Sequence, residues 1–147
     1  MLTVHGRATS SNVQAVMGAL GELGLDHERR NVCRAVGGNR EPGFLAMNPM
    51  GRVPVLQDGA LTLFESQAIL RYLASKAGAE ALWPADPGRR AVVDQWMEWA
   101  KVNVAPAVIY KVFWQMVRVS AAERDHAKIA EGAAELVELM TIEEAQI

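Results

Sequence analysis

The chain has 147 residues, half of them apolar and 22% charged, with a formal net charge of −2. That length holds about one average domain, and the composition excludes disordered, fibrous and membrane-embedded classes. Lys and Arg occur as scattered pairs such as Arg29-Arg30 and Arg89-Arg90, without the basic stripe interleaved with aromatics that a nucleic-acid partner needs.

Met1 runs directly into Leu2-Thr3-Val4-His5, with no basic region and no apolar run of signal-peptide or bilayer-spanning length, so a cytoplasmic protein without membrane contact is expected. Leu2 and Val4 alternate with polar neighbours as a short strand does, and Gly6 ends it before the polar cluster Thr9-Ser10-Ser11-Asn12. Val13, Val16, Met17, Leu20 and Leu23 then recur at spacings of three and four, which predicts a helix with one apolar stripe and Gly24 at its C-terminal cap. Residues 26–33 read as a weak strand with Cys33 as a small core residue, and Gly37-Gly38 marks a loop. Pro42 opens a short helix through Phe44, Leu45 and Met47, which Asn48-Pro49-Met50-Gly51 stops.

Two short apolar stretches follow, Val53 to Leu56 and Leu61 to Phe64, joined by Gln57-Asp58-Gly59-Ala60. The Asp-Gly pair is a hairpin signal, so these strands are expected to be antiparallel. Ser66 stands at the mouth of a helix with Ile69, Leu70, Tyr72, Leu73 and Ala77 on one side. The order βαβ, α, ββα demands a mixed sheet covered by helices over residues 1–77. Residues 78–88, with Gly78, Pro84, Pro87 and Gly88, read as a linker. Residues 89–147 read as about two helices: a long one from Arg89 to Arg118, which Pro106 is expected to kink, and one begun by the capping box Ser120-Ala-Ala-Glu123 with a stripe of Ile129, Ala133, Leu136 and Met140. Trp96, Trp99, Asn103, Pro106, Tyr110 and Phe113 share a face of the long helix, which fits either an apolar pocket or plain packing.

Three features could carry chemistry. Pro54 sits inside an apolar strand pattern, where a residue without an N–H is out of place; a cis bond after Val53 would turn the Val53 N–H and C=O outward to pair with an extended ligand, and a trans edge proline is the plainer alternative. Glu65-Ser66 precedes a helix whose unpaired N–H groups attract a carboxylate, while Glu65 suits an ammonium group; an ordinary N-cap is the alternative. Thr9-Ser10-Ser11-Asn12 offers more hydroxyl and amide groups than one cap requires. One of them could donate to a ligand thiol, whose pKa is otherwise about 8.5, and so favour the nucleophilic thiolate. His5, His27 and His126 share no ligand spacing, so no metal is expected. A single cysteine and no CxxC exclude dithiol chemistry by the chain alone.

Taken together, NPMGRVPVLQDG followed by LFESQAILRYLA closely resembles the glutathione S-transferase family, and GRATSSNVQAVMGALGELGL resembles its bacterial, theta-like members. LWPADPGRRAVVDQWMEW is similar to their inter-domain linker and first helix. The resemblance implies a thioredoxin-like α/β N-terminal domain with a cis Pro54 and an all-α C-terminal part. It implies that Val53 pairs with the cysteinyl backbone of glutathione, that Glu65 and Ser66 grip the γ-glutamyl end, and that Asn39 and Arg52 lie near the glycyl carboxylate. Ser10 falls where theta-like members keep the catalytic serine, with Thr9, Ser11 and Asn12 as rivals. The family's further helices have no counterpart in this sequence, so a shortened helical part and an incomplete pocket for the second substrate are expected. The implied activity is addition of glutathione, used as a co-substrate with no permanently bound cofactor, to small apolar electrophiles by a homodimer. Ser10-Ser11-Asn12 is also similar to the Thr-Pro-Asn of relatives that reduce disulfides with two glutathiones and no protein cysteine. A non-catalytic dimerising or docking module is the reading from a different class.

Overall fold

The computed structural model describes residues 1–33 and 36–146. It divides into two units, Met1–Pro87 and Gly88–Ile147.

In the first unit, β1 (Leu2–His5) is buried along its whole length. Among the described residues it is the only strand with two partners that differ in direction: β2 (His27–Arg30) runs parallel to it and β3 (Val55–Asp58) antiparallel. β4 (Leu61–Phe64) pairs with β3 through the expected hairpin, giving the order β2-β1-β3-β4. The parallel β1–β2 pair needs a crossover, and α1 (Ser11–Glu22) supplies it. Side chains alternate across a strand, so Leu2 and Val4 face one way and meet Val13, Val16 and Leu20 of α1 with Ile69 and Leu73 of α3 (Ser66–Lys76). Thr3 and His5 face the other way, where α2 (Pro42–Met47) sets Phe44 edge-on to the His5 ring at 6.4 Å. Burying each of Leu20, Ile69 and Leu73 contributes about 1.5–3 kcal/mol.

The hairpin is fastened to α3 at its turn. Asp58 accepts from the Tyr72 hydroxyl at 2.6 Å and pairs with Lys76 Nζ at 2.7 Å. Hydrogen bonds from Lys76 and Tyr72 hold the Asp58 carboxyl below the usual carboxylate range.

Three expectations are corrected in this unit. β3 begins at Val55, so Val53-Pro54 precedes the strand rather than lying inside it, and the missing proline N–H costs no ladder bond. β2 is shorter than residues 26–33. Cys33 is not a core residue: it is half-buried in a loop at φ 86°, with Arg7 Nη1 3.7 Å from its sulfur.

In the second unit α4 (Pro87–Trp99) continues as π-helical turns over Ala100–Val104 and Ala107–Phe113, then as the short α5 (Trp114–Val117). Pro106 lies between the π turns at φ −62° and ψ −44°, which is helical. The expected disturbance is therefore a shift of hydrogen-bond register, since an i→i+5 pattern lets the chain pass a residue that has no N–H. The box at Ser120 starts only a 3₁₀ turn, Ala121–Glu123, with Ser120 Oγ donating to the Glu123 carboxylate. The true cap of α6 (His126–Glu144) is Asp125, whose carboxylate accepts from Lys128 N at 2.9 Å. Ala133 is exposed, contrary to the expected stripe, and Gly132 is the buried position. A Cβ on Gly132 would stand 2.5 Å from Lys111 Cβ and 3.1 Å from the Ala107 carbonyl, so only glycine permits this helix approach. Lys111 clamps it by pairing with Glu131 and Glu135, each at 2.7 Å. Among the described residues no helix is long and apolar enough to cross a membrane.

Candidate functional site

The strand register collects three chain segments at one end of the sheet. His5 stands opposite Arg30, His5 opposite Val55, and Val55 opposite Phe64. The segments leaving this row are therefore neighbours: Gly6 to Asn12 after β1, Val53-Pro54 before β3, and Glu65-Ser66 after β4.

Ser10 is the buried member of its cluster at 7% exposure, whereas Thr9, Ser11 and Asn12 are exposed. It occupies the N-cap of α1 with extended backbone, and its carbonyl accepts the Gln14 N–H at 2.9 Å. Its hydroxyl makes no capping bond. A cap serine ordinarily satisfies a free N–H of the first turn with that oxygen; here the hydroxyl does not cap the turn.

The Val53-Pro54 peptide is cis. Val53 is half-buried, and among the described residues its backbone N–H and C=O enter no backbone hydrogen bond. An extended ligand can meet both groups as one more strand. The turn before it is built by two asparagines. Buried Asn48 accepts from Met50 N at 3.0 Å and donates to the Arg52 carbonyl at 2.8 Å, and Asn39 Nδ2 donates to the Gly51 carbonyl at 2.8 Å. Gly51 is at φ 62°, with a Cβ there only 2.8 Å from the Asn39 carbonyl, so the tether requires glycine. Arg52 itself is exposed.

Glu65, not Ser66, is the N-cap of α3, and its side chain does not cap. Glu65 is at φ 69° and ψ 114°, a region that costs a non-glycine residue about 1–3 kcal/mol. Strain of this kind persists where the surroundings impose it, and here it leaves the Glu65 carboxylate exposed beside the helix mouth. Ser66 is the first helical residue and is only 4% exposed. The first-turn N–H groups of α3 and the Ser66 hydroxyl offer donors to an anion, with Glu65 offering an acceptor to a cation. The two signs side by side match an amino-acid head group.

Gly6, Arg29 and Asn48 also hold the backbone around this site, whereas the sequence marks them only as a strand end, half of a basic pair and a helix stop. Asn48-Pro49 reads as a helix stop, and only the NPMG string hinted at more. The buried His5 is tied by its Nε2 to Gln57 Oε1 at 2.7 Å, and among the described residues no group of His, Cys, Asp or Glu could hold a metal.

Known proteins resemble this chain in sequence and fold. A family model described as the glutathione S-transferase N-terminal domain matches residues 1–75. Glutathione S-transferase GstB of Escherichia coli is 40% identical over 149 residues, covering all of this chain and 71% of that protein. Glutathione S-transferase 4 of Zea mays is 37% identical, covering 98% of this chain and 65% of its own length. Among solved structures, the theta class glutathione S-transferase of Xanthomonas axonopodis pv. citri with glutathione bound superposes with a TM-score of 0.91 at 43% identity, over 99% of this chain and 69% of that one. The thioredoxin-like sheet with its helices and these likenesses agree: the chain belongs to the glutathione S-transferase family.

Proposed function

We propose that the first unit binds glutathione and that Ser10 stabilises its thiolate for attack on a small apolar electrophile. In this reading the Val53 N–H and C=O pair with the cysteinyl backbone past cis Pro54. Ser66 and the α3 N-terminus hold the γ-glutamyl carboxylate, Glu65 holds the γ-glutamyl ammonium, and Asn39 and Arg52 stand toward the glycyl carboxylate. The thiol proton leaves to solvent, the sulfur forms a bond to the electrophilic carbon, and a leaving group such as halide departs with the bonding pair.

The observation that supports this most is the Ser10 hydroxyl, buried at a helix N-terminus yet unused by that helix. A hydroxyl donor beside a positive helix end lowers a thiol's pKa. The test is a pH titration of the bound thiol by its ultraviolet absorbance. Ser10→Ala is expected to return the thiol to about 8.5, whereas Thr9→Ala, Ser11→Ala and Asn12→Ala leave it lowered. A wild-type value already at 8.5 contradicts the reading.

We also infer that the protein is a cytoplasmic homodimer. The exposed Val102, Trp114, Met116, Val117 and Val137 of the second unit favour association. A monomer by sedimentation equilibrium contradicts that part alone.

A further inference from the structure

The residue that begins the serine turn is held from every side. The Gly6 N–H donates to the Arg30 carbonyl at 2.8 Å. Its own carbonyl accepts from Arg29 Nη1 at 2.9 Å. A side chain is excluded, because a Cβ on Gly6 would run into Val13 Cγ2 and stand 3.3 Å from Val53 Cβ. Gly6 is therefore wedged between the first helix and the Val53 rim.

Only Arg7, Ala8 and Thr9 separate Gly6 from Ser10, and that short path is closed by a turn in which Ser10 N donates to the Arg7 carbonyl at 3.3 Å. With so few residues and a closing bond, a displacement of Gly6 carries over to Ser10. Arg29 is half-buried, and the same Nη1 also donates to Asn31 Oδ1, which fixes the direction of that nitrogen. A charge-assisted donor of this kind fixes geometry more tightly than a neutral one.

We propose that Arg29 is a positioning residue that, through the Gly6 carbonyl, fixes the Arg7–Ser10 turn and so the Ser10 hydroxyl relative to Val53. This rests on the reading of Ser10 given above. Arg29 touches no part of the proposed ligand, so its loss acts on the placement of the hydroxyl and not on the grip of Val53, Glu65 and Ser66 on glutathione.

The test compares wild type, Arg29→Met and Arg29→Lys, with Ser10→Ala as control, in the full chain. Thiolate absorbance of bound glutathione is read at neutral pH, with glutathione affinity and the thermal midpoint measured alongside. Misplacement of a reacting group by a fraction of an ångström to one ångström costs about ten- to a hundredfold. Arg29→Met is thus expected to lose most of the thiolate signal, or about tenfold in turnover where an electrophile is supplied, with glutathione affinity within about twofold. Arg29→Lys, which keeps a cationic donor for the Gly6 carbonyl, is expected to recover most of the signal. An Arg29→Met protein with the wild-type thiolate signal overturns the proposal. So does a loss of affinity that matches the loss of thiolate, or equal losses in Arg29→Lys and Arg29→Met, since each describes a general structural effect. Absence of a thiolate signal in wild type, or its persistence in Ser10→Ala, instead overturns the reading of Ser10 itself.

Discussion

The two units bury their apolar residues very differently. Among the described residues every buried apolar side chain except Ala107 belongs to Met1–Pro87, while Val92, Val102, Trp114, Met116, Val117, Val137 and Ile142 of the second unit are exposed. A sheet with helices on its faces encloses a core by itself, whereas two antiparallel helices touch along one seam and leave their other apolar positions outside. In the second unit the seam is Gly132 against Ala107, clamped by Lys111. The proposed ligand site stands on the unit that has a rigid core. Its three segments are end-of-strand continuations, so their mutual placement is inherited from the sheet register.

The contrast can be broken most forcefully in the core. Leu73→Ala is expected to cost about 2–5 kcal/mol in denaturant unfolding, because Leu73 is fully buried. Val137→Ala, at 67% exposure, is expected to change stability by no more than about 0.5 kcal/mol. A large effect at Val137 would place a covering surface over the second unit.

A glycine pair sharpens the comparison further. Gly132→Ala overpacks the helix seam at a cost of about 1–3 kcal/mol, against a gain in helix propensity of about 1 kcal/mol; net destabilisation is expected in unfolding followed by tryptophan fluorescence. Gly18→Ala in α1 has nothing within 4 Å of the added methyl, so it is expected to stabilise by about 0.5–1 kcal/mol. The same substitution with opposite signs would establish that the second unit is held by close backbone approach.

The smallest effect concerns the hairpin fastening. Lys76 and Tyr72 lower the Asp58 pKa in the folded chain, so this contact stabilises above the unfolded value of about 3.9 and fades as pH falls through the lower folded value. The difference in thermal midpoint between wild type and Asp58→Asn should accordingly shrink below about pH 4. A difference that grows on acidification would contradict the pairing.

Element type was legible wherever periodicity was strong, as in the α1 stripe, the Asp58-Gly59 hairpin and the helix after Ser66. Boundaries were less so. Val53-Pro54 reads as strand because its apolar character continues into Val55, yet a residue without an N–H fits more easily ahead of the ladder than within it. The Ser120 box fits a helix start by spacing, but Asp125 competes for the same N–H groups nearer the continuous apolar run. Ala133 looked like the seam because alanine is apolar; Gly132 forms it because close approach requires the absence of a side chain. Cys33 looked like core from its neighbour Val32, while its backbone at φ 86° takes it out of the strand. At the site, Val53-Pro54, Glu65-Ser66 and the cluster Thr9-Ser10-Ser11-Asn12 stand out by residue type, and Ser10 within that cluster only through the family resemblance. Gly6, Arg29 and Asn48 do not, because they act through backbone carbonyls and close packing, which no residue type announces.

The most direct measurement is a calorimetric titration of the full chain with glutathione, repeated with Glu65→Ala and Ser66→Ala. Saturable binding is expected, weakened in each variant by the roughly 1.5–3 kcal/mol of a lost charge-assisted hydrogen bond. Absence of binding, or affinity unchanged in both variants, would contradict the assignment of this end of the sheet as the glutathione site.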